Sequence, residues 1–390
     1  MAQPPAPGRR IASVLTPVIP WLNDQVRQHP GTLSLAQGMV DWGPPATVRQ
    51  LDLSDPDLDR YGALAGDADL LTAIHRELVG RRGIDPDGAA LMVTAGSNMA
   101  FHAVAQAICD PGDEVILPVP YYFNHVMAVQ IAGGVPVTPQ LGPRPDPDAL
   151  AELIGPRTRA IVTVSPGNPS GVVLPPEQLT AINRLCGDRG LFHISDEAYA
   201  DFVHGPVPHR SPGRAGGSGA HTISLFSLSK AYGMAGWRVG LAAVPRQLVD
   251  GLARVQDTVL ICPPRVSQRA ALAALTAGPD WCRARIAGLA PRRRLLLDAI
   301  SSEQARGTPL ELLAQPDGAF YALLRVDCRD GDRGLMERLI REHAVAVVAG
   351  GSFGLAASDR QVCLRLSYGM LPEPRLQEAL ERLFRGLRQT

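Results

Sequence analysis

Lysine is almost missing from this 390-residue chain: of its 38 basic residues, 37 are arginine and one, Lys230, is lysine. Arginine replaces lysine wherever a positive charge suffices. It cannot do so where the chemistry needs a primary amine, because a guanidinium stays protonated and forms no imine. Net charge is missing too, since 38 acidic residues balance the 38 basic ones. That argues against a polyanion or an anionic membrane surface as partner and for a small neutral or mixed-charge ligand. The cysteines (Cys109, Cys186, Cys262, Cys282, Cys328 and Cys363) are far apart with no C-x-x-C pair, and no charged start precedes an apolar signal core. A reduced, cytoplasmic protein is expected. No apolar run approaches the ~20 residues of a spanning helix. The histidines show no metal-ligand spacing, so no metal site is expected, and no internal repeat is visible.

What is present alternates strand and helix. The Pro-rich start leads into residues 11–26, which have helical spacing but carry Pro17 and Pro20; an interrupted segment packed on another surface suits them better than a free helix. Residues 33–38 alternate as a strand ending at Gly38, which could be a plain turn residue, and residues 68–81 are apolar at helical intervals before the loop Asp85-Pro86-Asp87. A buried strand at 90–93, the turn Thr94-Ala95-Gly96-Ser97-Asn98 and a helix at 99–108 make a candidate anion site, because unpaired amides converge at a helix N-terminus. Strands at 114–117, 135–139, 160–164 and 192–194 then alternate with helices at 124–132, 146–154 and 176–189. The spacing predicts an α/β fold with a mostly parallel sheet covered by helices on both faces, its ligand at the carboxyl ends of the strands. Helices are expected at 247–261 and 266–277, and a long Arg-rich one from Trp281. The remaining strands at 318–326, 345–348 and 363–368, with helices at 334–343 and 373–387, read as a smaller α+β unit. The expected division is an N-terminal segment (1–45) packing on the small domain or a partner subunit, a large domain (46–280) and a small C-terminal domain (281–390).

Three motifs stand at strand ends: Asn168-Pro169-x-Gly171, Asp196-x-x-Tyr199, and Ser227-Leu228-Ser229-Lys230 with Arg238 eight residues on. An amine that forms an imine with pyridoxal phosphate needs company. A carboxylate must hold the ring nitrogen protonated, a donor must meet the phenolate oxygen, anion donors must hold the phosphate, and an aromatic face must lie against the ring. Each requirement has a candidate here. Taken singly, Asp196 would serve as a helix cap, Asn168 as a turn former and Tyr122 as core packing.

Together and in this order, the residues resemble the fold-type I pyridoxal phosphate enzymes, class I/II aminotransferases related to aspartate aminotransferase, over nearly the whole chain from Gly38 to Arg365. The resemblance implies that Lys230 forms the Schiff base and that Asp196 partners the pyridine nitrogen, supported from behind by His125. It places Asn168 and Tyr199 on the phenolate oxygen and Tyr122 on the ring. The phosphate falls to Ser97, Asn98, Ser227 and Arg238, with Tyr61 reaching over from the second subunit of a homodimer with shared sites. Gly38 and Arg365 become the anchors of the substrate α-carboxylate. The implied activity is transamination between an amino acid and a keto acid through a substrate carbanion. Elimination, replacement or cyclisation in a specialised pathway would use the same cofactor residues. A regulator built on this fold would add a DNA-binding module, for which the pattern leaves no room, so no nucleic-acid partner is expected. Asn98 stands where some aspartate-specific relatives have lysine, and Asp257, counted back from Pro263-Pro264, falls near where others have arginine. A carboxylate facing the substrate would favour a cationic or uncharged side chain; the alternative is that Asp257 serves only its own helix.

Overall fold

The computed structural model describes residues 6–84, 88–358 and 360–389; residues 1–5 and the Asp85-Pro86-Asp87 loop lie outside them. A short strand β1 (Leu33–Ser34) precedes seven that form one sheet: β2 (Ala89–Thr94), β3 (Glu114–Ile116), β4 (Val135–Val137), β5 (Thr158–Val164), β6 (Phe192–Asp196), β7 (Thr222–Ser227) and β8 (Gly240–Pro245). Their order is β2-β8-β7-β6-β5-β3-β4. Strands β3 to β7 pair in parallel, while β8 runs antiparallel to both β2 and β7. Strand β8 was not expected from the pattern. All six of its residues are buried, so it has no in-out alternation to betray it. The strand that leads to Lys230 ends at Ser227. There the chain turns, with the Ser229 N–H donating to Ser227 Oγ at 3.1 Å.

Successive residues of a strand face opposite ways, and β7 shows the result. Leu225 packs with Phe101, Val104, Val129 and Leu252 on one side of the sheet, whereas Phe226 joins Leu70, Ile74, Ala270 and Ala271 on the other. The helices Ser97–Ile108, Phe123–Ala132 and Val249–Leu260 supply the first layer. The helix Arg265–Leu275 belongs to the second.

The smaller sheet has the order β12-β13-β10-β9, from β9 (Leu310–Leu312), β10 (Tyr321–Asp327), β12 (Val348–Ala349) and β13 (Gln361–Ser367), with β11 (Val345–Ala346) standing apart. It is antiparallel throughout. The N-terminal segment is bonded to this unit. Strand β1 pairs in parallel with β11, Leu35 N–H donates to Ala346 O at 2.8 Å, and Ser367 N–H donates to Leu35 O at 2.7 Å. The helix Val18–Gln28 starts after Pro17 and buries Leu22 against Ile340 and Phe353. Pro20 sits in its first turn, where an N–H has no intrahelical partner to lose.

One contact ties β8 to the turn after β2: a Cβ added at Gly240 would lie 2.5 Å from Ser97 N and 2.6 Å from Gly96 C. Backbone cannot yield as a side chain can. Gly240→Ala should therefore lower stability by about 1–3 kcal/mol, read as a lower urea midpoint at unchanged slope. An unmoved midpoint would mean that the two segments do not touch this closely.

Candidate active site

Lys230 lies where the carboxyl ends of β5, β6 and β7 meet the turn after β2. A cavity of about 210 Å³ there is lined by Ser97, Asn98, Tyr122, Asn168, Asp196, Tyr199, Ser227, Ser229, Lys230 and Arg238. The structure thus brings together the cofactor residues nominated from the sequence, with the exception of Tyr61. A second cavity, also about 210 Å³, shares Tyr122, Asn168, Tyr199 and Lys230 with the first and adds Gly38, Tyr321 and Arg365.

The two ends of the first cavity differ in chemistry. At one end the helix Ser97–Ile108 begins at Gly96, whose φ of 87° suits glycine and which has no side chain to cap the helix. The Ser97 and Asn98 amides, which open the helix, can thus meet an anion. Arg238 stands beside them, its guanidinium so close that a Cβ on Gly96 would come within 2.5 Å of Nη2. Serine hydroxyls, helix amides and a guanidinium form a donor set for a phosphate. At the other end, buried Asp196 receives the Ala198 N–H on Oδ1 at 3.0 Å, and its Oδ2 lies 3.1 Å from His125 Nε2. His125 is itself buried, stacked on Phe101 at 4.0 Å and perpendicular to the Tyr122 ring. The neighbouring carboxylate, Glu197, is occupied elsewhere by His209 Nε2 at 2.9 Å and Ser211 Oγ at 2.7 Å. One acid therefore serves the cavity and the next serves the loop behind it.

Burial, with the Arg365 and Arg238 guanidiniums close by, pulls the Lys230 ammonium down from 10.5 to about 8, with Asp196 opposing. Its Nζ donates to Gly38 O at 2.5 Å. Burial also pushes the Tyr199 phenol well above its usual range, with the adjacent Tyr321 adding to the effect, so Tyr199 is a neutral donor at physiological pH. The two hydroxyls are 2.7 Å apart. Arg365 is buried between the Tyr321 and Phe353 rings. It donates from Nη1 to Asn168 Oδ1 at 3.0 Å and from Nη2 to Ala36 O at 2.5 Å, while its Nε has no partner. Asn168 thereby spends its oxygen on Arg365 and keeps its amide nitrogen for the cavities it lines.

Over the same stretch the chain matches the family model described as "Aminotransferase class I and II", at residues 32–383. It is 33% identical to an aromatic aminotransferase of Arabidopsis thaliana, over 98% of this chain and 96% of that protein. It is likewise 33% identical to the arginine–pyruvate transaminase of Pseudomonas aeruginosa, over 92% and 91% of the two chains. A Thermus thermophilus aspartate aminotransferase mutant superposes with a TM-score of 0.85 at 31% identity, covering 98% of this chain and 100% of that one. The chain belongs to the class I and II aminotransferases. It is a pyridoxal phosphate-dependent enzyme with the aspartate aminotransferase fold, and these relatives do not favour an elimination or cyclisation reading. The cavity fits that cofactor, with the phosphate donor set at one end, a carboxylate at the other and an amine and an aromatic ring between.

Two of the nominated residues stand outside both cavities of their own chain. Tyr61 is 77% exposed. Asp257 does not face a substrate within this subunit: the buried positions of its helix are Leu252 and Gln256, which leaves Asp257 on the solvent side. Both sit in one neighbourhood, since Gly62 N–H meets Cys262 Sγ at 3.2 Å and Ile261 N–H bonds Asp257 O. Conversely, Tyr321 escaped the sequence reading. The strand that carries it was visible, but its pairing with β13 (Tyr321 opposite Ser367, Leu323 opposite Arg365) is a long-range fact. Among the described residues no cluster of His, Cys, Asp and Glu could hold a metal ion, and no helix is long and apolar enough to cross a membrane.

An amine with its pKa near 8 reacts with aldehydes as its neutral form. Reductive alkylation of the cofactor-free protein at Lys230, followed by peptide mass, should rise with pH to a midpoint near 8. Arg365→Met removes a like charge, so the ammonium form gains and the midpoint moves up. A wild-type midpoint near 10 would refute the electrostatics of the site.

Proposed function

We propose that this aminotransferase converts an α-amino acid with a cationic or neutral side chain to its keto acid, with Lys230 as the residue that carries the cofactor and moves the proton. The observation that carries the reading is that the chain's sole lysine lies in both adjoining cavities, between a phosphate donor set and a buried guanidinium. When bound, pyridoxal phosphate supplies an electron sink for charge developing on the substrate α-carbon. The chain's own residues do the rest. Asp196, held by His125, would keep the ring nitrogen protonated. Asn168 and Tyr199 would serve the phenolate oxygen and Tyr122 the ring. Ser97, Asn98, Ser227 and Arg238 would hold the phosphate. Arg365, whose Nε has no partner, takes the substrate α-carboxylate beside Gly38. Lys230 Nζ, as the free amine, would accept the proton from the substrate α-carbon and hold it for return.

In this reading residues 46–280 form the cofactor-holding unit and residues 281–390 the unit that brings Arg365. The enzyme works in the cytoplasm, in amino acid biosynthesis. It is a homodimer in which Tyr61 reaches the partner's phosphate; Asp257, beside it, has access to a substrate only by the same route. The exposed apolar side chains of Leu53 (66%), Val259 (51%), Ile261 (42%) and Val266 (37%), with Tyr61 itself, support a covered face. An obligate interface of this kind buries over ~2,000 Å².

Lys230→Ala should lose both the visible absorbance of the bound cofactor and turnover, while Lys230→Arg, which keeps the charge, should rescue neither. A Lys230→Ala protein that retained a reducible covalent adduct would sink the assignment. Sedimentation at micromolar concentration should show a dimer, and Tyr61→Ala should weaken cofactor binding without dissociating it. A fully active monomer would overturn the shared site.

A further inference from the structure

The second cavity has two fixed points, the Arg365 guanidinium and the Lys230 amine. On the assignment just proposed, these set the substrate's carboxylate and α-carbon, and its side chain must meet what remains of the wall. That wall comes from the N-terminal segment. Ile19, Leu22 and Met39 are apolar, as is Phe123 across from them, while Asn23 and Gln37 present side-chain amides. The amides are bonded to each other, Gln37 Nε2 donating to Asn23 Oδ1 at 3.0 Å. One carbonyl and one amide group stay unspent, with no net charge. Among the described residues lining this cavity, only Lys230 and Arg365 are charged. The nearest charges on the same helix, Asp24 and Arg27, are exposed and paired with each other.

We infer that the substrate side chain is uncharged, with an apolar stem, and that the Ile19–Asn23–Gln37–Met39 wall sets this preference. The inference narrows the proposed function and rests on it. Within this subunit a distal carboxylate would find no cation beyond those already engaged, and a guanidinium or ammonium would find no carboxylate on this wall. A charge that leaves water without a partner is strongly selected against. Amides reject neither a methyl, a thioether nor a carboxamide. The wall therefore excludes by absence of counter-charge and admits by apolar contact.

The test compares kcat/KM of the holoenzyme for leucine, methionine, glutamine and phenylalanine with that for aspartate, glutamate, arginine and lysine. Calorimetric affinities for the amine-free analogues 4-methylpentanoate and succinate accompany it. Uncharged amino acids should lead by at least tenfold, and 4-methylpentanoate should bind more tightly than succinate. Asn23→Asp should raise arginine relative to leucine severalfold, and Asn23→Arg should do the same for aspartate, both effects shrinking with added salt. A wild type that prefers a charged amino acid overturns the inference. So does a preference for arginine that Asp257→Ala abolishes, which would place the deciding charge on the neighbouring subunit. A ranking indifferent to both Asn23 variants shows that the side chain does not lie on this wall. If no amino acid converts the visible spectrum of the bound cofactor, the underlying assignment of function fails instead.

Discussion

A single amine held out of water among unequal charges is the constraint on which this structure depends. Lys230 has two guanidiniums and one carboxylate for neighbours, and burial joins the guanidiniums in favouring its neutral form. Burial alone would not suffice for catalysis, because an amine that never protonates returns no proton. A titration near 8 leaves the amine able both to take up and to give up a proton, as the proposed role requires. The charges that set it are themselves secured: Asp196 by His125 and a backbone amide, Arg365 by Asn168 and Ala36 O, Arg238 by the Ala235 carbonyl.

The sheet order explains how residues as far apart in sequence as Ser97 and Arg238 come to share one cavity. Parallel strands β5, β6 and β7 end side by side, so the loops that follow each deliver a motif to the same edge. Antiparallel β8 then lies between β7 and β2 and brings the turn at Gly96 back against Arg238. Two glycines make that approach possible, because any side chain at Gly96 or Gly240 would overlap the opposing segment. The cluster of anion donors is thus a packing consequence of an antiparallel strand inserted in a parallel sheet.

The N-terminal segment stitches the two sheets together over the site. Leu35 is bonded on one side to Ala346 and on the other to Ser367, which fixes the carbonyls that follow it. Ala36 O then receives Arg365, and Gly38 O receives Lys230. A Cβ at Gly38 would stand 2.8 Å from the Tyr321 hydroxyl, so any larger residue there would have to displace that side chain. Because the helix Val18–Gln28 precedes this strand, its side chains become a wall of the second cavity. A segment remote from Lys230 in sequence thereby takes part in choosing the substrate.

The sequence by itself determined the chemistry. One lysine among 37 arginines, a strand–turn–helix anion site, and carboxylate, amide and phenol at successive strand ends are local facts, legible because strand ends and tight turns announce themselves in residue type. The family likeness supplied their roles. Tertiary structure decided what depends on which elements touch. It hid β8, whose uniform burial erases alternation, and it revealed Tyr321, whose contact with Tyr199 requires two sheets to meet. It turned Asp257 outward, since Leu252 and Gln256 claim the buried face of that helix. Local pattern reports how a residue meets its neighbours in the chain. Which distant surface it then faces is set by the packing of the whole.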